Sequence, residues 1–150
     1  MTFYKTNSKS IKFLHIFALL ALTITLGGCV DRDEADAKLV QACQKGVVYL
    51  LDEYSLIKSI KATHFSSVAN KEDGDRRVTM DVVIDENYLD VEKSFSCNFI
   101  ENKGFLGMSY SANISQIDMG DGQIYGRKDG EIYGGMNKWL NITKEAEAAL

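Results

Sequence analysis

The chain has no proline in 150 residues, so no stiff polyproline spacer can hold one part of it away from another. Its three cysteines, Cys29, Cys43 and Cys97, are too widely spaced for the close pairs of a zinc site. Of two histidines only His64 lies beyond the N-terminal apolar run. No serine or cysteine accompanies it in a nucleophile motif, so His-dependent hydrolysis lacks support, and His64 is expected at a strand edge or in the core. Positive charge is scarce too: 17 Lys and Arg face 21 Asp and Glu. That balance argues against nucleic acid as a partner and offers no attraction to anionic lipid. The one long apolar run, Phe13 to Leu26, falls short of the roughly 20 residues that a bilayer-spanning helix requires.

The familiar chemical motifs are missing as well. Asp118, Asp121, Asp129 and Glu131 do not have the spacing of an EF-hand loop, and acids in glycine-rich turns are expected to do turn chemistry. Gly120-Asp121-Gly122 is followed by neither a lysine nor a helix start, so it is no phosphate loop. No metal or cofactor is therefore expected, and no catalytic residue can be named. Asn141-Ile142-Thr143 matches a glycosylation acceptor, which is irrelevant if the source is bacterial.

What is there begins at the N-terminus. Lys5, Lys9 and Lys12 make a basic segment with no acid before Asp31, the apolar run follows, and Leu26-Gly27-Gly28-Cys29 closes it. This order and spacing resembles the signal peptide and lipobox of bacterial lipoproteins, with Gly27 less usual than Ala or Ser at its position. An ordinary secretory signal, or a single apolar anchor with a chance cysteine, is the alternative. The resemblance implies that Cys29 carries a thioether-linked diacylglycerol, that signal peptidase II cuts before it, and that the new amino terminus is acylated, commonly with palmitate. Several chains on one cysteine make release from the membrane negligible, since each buried CH₂ contributes about 0.8 kcal/mol. Val30 follows, where enteric-type sorting uses Asp for inner-membrane retention, so the expected location is the outer membrane, on its periplasmic face.

Three segments follow from that resemblance: a signal peptide over 1–28, a lipid anchor with a short tether over 29–34, and one periplasmic domain over 35–150. Removing the signal leaves 122 residues, enough for one compact domain, with 14 basic against 21 acidic residues. Asp31-Arg32-Asp33-Glu34 is short, so the domain should ride close to the membrane. With Cys29 assigned to lipid, Cys43 and Cys97 remain, and in an oxidising compartment they most simply form a disulfide; two unlinked buried thiols are the alternative.

Along the mature chain, Leu39, Cys43, Val47, Leu50, Leu51, Tyr54 and Ile57 recur at three and four residues, which predicts a helix over about 35–60 with a break near Tyr54-Ser55. Asp33 or Asp36 is its expected cap. Gly46 weakens it by about 1 kcal/mol relative to Ala and suggests a bend or a close contact. A strand begins near Phe65–Val68, and Asn70–Asp75 is a polar turn. Val78, Met80, Val82 and Ile84 alternate as a half-buried strand does, and so do Phe95, Cys97 and Phe99 against Ser94, Ser96 and Asn98. After a turn at Asn102-Lys103-Gly104, the residues Leu106, Met108, Tyr110, Ala112 and Ile114 share a face. Gln123-Ile124-Tyr125-Gly126 and Glu131-Ile132-Tyr133-Gly134 read as a hairpin about Asp129-Gly130. Asn137–Leu150 reads as a C-terminal helix that packs back through Trp139, Leu140 and Ile142.

The expected fold is α+β: an N-terminal helix packed on a three- to five-stranded antiparallel sheet, a short C-terminal helix, and one helix–sheet disulfide. Tyr125, Tyr133 and Trp139, close together in glycine-rich sequence, are the candidate partner-binding residues, with completion of a small core as the plainer alternative. The expected function is a non-catalytic, membrane-anchored envelope module whose partner is another envelope protein. The alternatives are a small-ligand binder or enzyme using a pocket between helix and sheet, and an exclusion lipoprotein of phage or plasmid type.

Overall fold

The computed structural model describes residues 31–104 and 109–150. The lipobox, and the facing expected for Leu106 and Met108, lie outside these residues.

Helix α1 spans Arg32–Leu50. Its cap is Asp31, not Asp33 or Asp36: the Asp31 carboxylate accepts the Asp33 backbone N–H at 3.0 Å. Asp33 and Glu34 then complement the positive end of the helix. The polar run expected to serve as a tether is thus a helix cap and a first helical turn. The helix also stops at Leu50, after which Leu51 turns extended.

Residues Ser55–Ser67 form strand β1, where the sequence spacing predicts more helix. The reason lies in two irregularities. The register steps from Ile57↔Ile84 to Ile60↔Val82 across a bulge, and a second bulge lies between Ile60 and Ala62. Each extra residue stretches the strand's two-residue period to three. Ile57 and Ile60 therefore both meet the core side of β2 while mimicking a helical repeat.

Strands β2 (Arg76–Glu86), β3 (Leu89–Lys103), β4 (Tyr110–Asp118), β5 (Ile124–Lys128) and β6 (Glu131–Tyr133) follow, then helix α2 (Met136–Glu147). The six strands pair in chain order as an antiparallel meander. The count exceeds the expected three to five because β1 joins one edge and the β5–β6 hairpin extends the other. Asp129 and Gly130, both at positive φ (51° and 82°), make the expected tight turn of that hairpin.

Both helices cover one face of the sheet. Val78, Met80, Val82, Ile84, Phe95, Cys97 and Phe99 meet Leu39, Cys43 and Val47 of α1 there, all of them buried. A bulge puts Gln116 opposite Asn98 but Ile114 opposite Phe99, leaving Ser115 as the extra residue. Ile114 and Ile117 can then both enter the core although three positions separate them. The Cys43–Cys97 disulfide ties α1 to β3 across a Cα separation of 5.7 Å. One turn further along α1, a Cβ on Gly46 would lie 2.7 Å from Ile117 Cδ1 and 3.6 Å from Ile142 Cγ2. Glycine is what lets α1, β4 and α2 approach so closely. In α2 the buried stripe is Trp139, Ile142 and Ala146. Leu140, expected to pack inward, lies off that stripe and is 57 % exposed.

Candidate functional site

The three aromatics singled out in the C-terminal segment separate by environment. Trp139 is only 8 % exposed, with its ring against Gly126, where a Cβ would lie 2.7 Å from the ring carbons. It completes the core and leaves little surface for a partner. The Tyr125 ring packs on Gly134, with Lys138 Nζ 4.7 Å from its centroid, while its hydroxyl donates to Gln123 Oε1 at 3.0 Å. Tyr133 is exposed, in company with Ile132, Met136 and Leu140. The open part of the predicted trio is therefore Tyr133.

His64 sits on β1, the edge strand, with Nε2 3.3 Å from Asp81 Oδ2 and both side chains largely in solvent. The edge reading holds. Asp118 and Asp121 accept backbone N–H groups two residues on, from Gly120 and Gln123. Among the described residues no cluster of three metal-ligating side chains occurs.

The sheet face away from the helices carries a chain of polar contacts. Arg77 Nε donates to Asn98 Oδ1, Asn98 Nδ2 to Gln116 Oε1, and Gln116 Nε2 to the Arg127 carbonyl, at 2.9, 3.0 and 2.8 Å. The loop between β1 and β2 lies over this chain. Asp75 N–H donates to Phe99 O, Ser115 Oγ to Asp73 O, and Asp73 Oδ1 accepts the Asp129 N–H. With both amide side chains partnered, Asn98 and Gln116 stabilise the sheet rather than wait for a substrate. Beside them is an open groove of about 460 Å³ lined in part by Arg77, Thr79, Ser94, Ser96, Asp118 and Asp121. The expected pocket between helix and sheet is instead occupied by the apolar core.

The two ends of the sheet differ sharply. Where α1 begins, Arg32 reaches Asp36 at 2.5 Å and Glu101 at 2.7 Å, and Arg76 reaches Asp36 at 2.6 Å. Tyr110 donates its hydroxyl to Glu101 at 2.7 Å, Glu101 N–H donates to Asp75, and the Arg76 guanidinium lies over the Phe65 ring. Burial, and then the bond to Glu101, hold the Tyr110 phenol well above its ordinary range. This half-buried latch fixes the first turn of α1 to β2, β3 and β4.

At the opposite end the chain turns from β2 to β3 through Asn87 and Tyr88, both with positive φ (53° and 68°). Tyr88 is 96 % exposed, and Tyr54, Leu56 and Leu89 are also mostly in solvent. Register brings them to one end of the sheet, because Ser55 pairs with Glu86, which pairs with Leu89. Leu89 lies on the helix-covered face, as Val91 does, and Leu56 lies on the opposite face with Asp85 and Asp90. Acids surround them. Asp85 and Asp90 share Lys58, Glu86 pairs with Lys93, and Asp52 and Glu53 precede Tyr54. This end escapes a sequence reading that continues the helix through Tyr54, although Asn87 between two alternating strands is a hairpin signal.

No family model, curated protein or solved structure matches the chain.

Proposed function

We propose that this chain is a membrane-anchored envelope lipoprotein, lipidated at Cys29, that acts as a non-catalytic interaction module for another envelope protein at the periplasmic face of the outer membrane. The observation that carries the reading is the position of Leu26-Gly27-Gly28-Cys29 immediately ahead of a helix latched to the sheet. Three peptide units join Cys29 to Arg32, a reach of at most about 11 Å. A lipid on Cys29 would thus hold the folded domain against the bilayer with little freedom. The partnered state of Asn98 and Gln116 favours binding over catalysis.

Globomycin should cause a larger precursor to accumulate, and Cys29→Ser should give soluble or unprocessed protein. Unchanged processing and membrane association in both experiments would refute the anchor. On the surface, Tyr133→Ala should weaken partner binding without unfolding the domain, and Tyr125→Ala should do so through loss of the packing that supports Gly134. The open groove at Ser94 and Ser96 favours a second reading, a polar small-ligand binder. Ligand-induced shifts of amide resonances in β2 and β3 would identify that activity.

A further inference from the structure

We infer that the end of the sheet remote from α1's first turn, formed by Tyr54, Leu56, Tyr88 and Leu89, is a docking tip for a protein that presents an apolar cleft rimmed by Lys and Arg. Three observations carry this beyond exposure alone. First, Tyr88 occupies the second position of a two-residue turn at φ 68°, where glycine is at ease and an aromatic residue costs about 1–2 kcal/mol. No packing offsets that cost, since the side chain is almost wholly in solvent. Strain of this kind persists where a residue serves something outside the fold. Second, the apolar side chains come from two segments distant in sequence, Tyr54–Leu56 and Tyr88–Leu89, which the pairing of Ser55 with Glu86 brings to one end. Leu56 and Leu89 lie on its two faces, as an edge entering a cleft would present them. Third, its rim is net acidic. Asp52, Glu53, Asp85, Glu86 and Asp90 lie here with Lys58, which pairs with Asp85 and Asp90, and Lys93, which pairs with Glu86; these are five acids against two bases, a net of −3.

That charge selects the occupant. A second copy would oppose −3 with −3, and an anionic lipid surface would be repelled. A basic protein rim is complementary, and it would speed the encounter while the aromatic and leucine side chains supply the buried anchors. β3 alone, at about 3.3 Å per residue, spans roughly 45 Å, so a lipid at the other end would present the tip away from the bilayer. That orientation rests on the anchoring proposed above. The docking chemistry does not.

The test uses the full chain in intact cells with a photoreactive side chain in place of Glu53 (Glu53→p-benzoylphenylalanine) and, as control, in place of exposed Lys71 (Lys71→p-benzoylphenylalanine). The expected result is one discrete protein adduct from position 53 and none from 71. Tyr88→Gly and Leu89→Ser should each lower its yield about tenfold. In isolated envelopes, about 1 M salt, where the Debye length is roughly 3 Å, should lower it further. The crosslinked partner peptide should carry Lys or Arg beside apolar residues. A lipid adduct, an adduct with a second copy, no adduct, or one indifferent to Tyr88→Gly and to salt would each overturn the proposal. Fractionation of Cys29→Ser separates the two ideas. An adduct that persists without membrane association leaves the tip standing, and membrane association without an adduct removes the tip alone.

Discussion

The two ends of this sheet resolve the same problem, exposed strand termini, in opposite ways. Where α1 begins, charges of both signs interlock: Arg32 and Arg76 converge on Asp36, and Glu101 accepts from both Arg32 and Tyr110. At the β2–β3 turn, Tyr88 and Leu89 stand in solvent on a backbone that favours glycine. One end is built to be held still, and the other carries apolar groups that no internal contact accounts for. On the proposal made above, the first end would face the membrane and the second the partner. Between them, the disulfide and Gly46 join the helices to the sheet.

The largest effect should come from the bridge that the two ends share. Cys43→Ala with Cys97→Ala opens a loop across a sequence separation of 54, which in the chain-entropy model lowers stability by about 4 kcal/mol. Urea unfolding followed by tyrosine and tryptophan fluorescence should show one cooperative transition at much lower urea. Two separate transitions would mean that the ends fold independently. Asp36→Ala strikes the latch alone. It leaves two half-buried guanidiniums short of a carboxylate and should cost about 2 kcal/mol, discounted for partial exposure. Amide exchange at residues 32–36 should quicken while Glu86–Leu89 is unchanged.

Gly46→Ala should cost about 1 kcal/mol, because the clash with Ile117 outweighs the gain in helix propensity. Tyr88→Gly should move stability the other way, by up to about 1 kcal/mol upward. A loss instead would mean that Tyr88 packs on the fold, and the contrast between the ends would disappear. The smallest effect comes from Tyr110 and varies with pH. The Tyr110 phenol titrates above its ordinary 10.0 in the folded state, so the unfolded chain loses that proton first. Its contribution is whole below pH 10 and declines as pH rises beyond it. Tyr110→Phe should remove that part of the alkaline slope and lower the stability at neutral pH by up to about 1 kcal/mol, through loss of the hydrogen bond to Glu101.

Much of this architecture is legible residue by residue. Val78–Ile84 and Phe95–Phe99 alternate without interruption, so two central strands and the face that receives Cys97 can be read directly. Cys43 on a helical stripe then indicates the disulfide. Asp129-Gly130 announces its hairpin. The failures have physical causes. β1 is concealed by two bulges that lend Ile57 and Ile60 a helical spacing, and Leu140 differs from its buried neighbours only by its angle around α2. For the site, Tyr125, Tyr133 and Trp139 share a segment, but Trp139 is drawn inward by the bare backbone of Gly126. The tip at Tyr54 and Tyr88 comes together only through strand register, which no local pattern encodes. Pairing between residues far apart in sequence is the information that composition and spacing lack.

The most direct measurement is the intact mass of the mature protein extracted from membranes, with fragmentation of its N-terminal peptide. The expected result is a chain beginning at Cys29, heavier than its amino acids by a diacylglyceryl group and one acyl chain. A chain that retains residues 1–28, or that carries an unmodified Cys29, would contradict the anchoring from which the difference between the two ends takes its meaning.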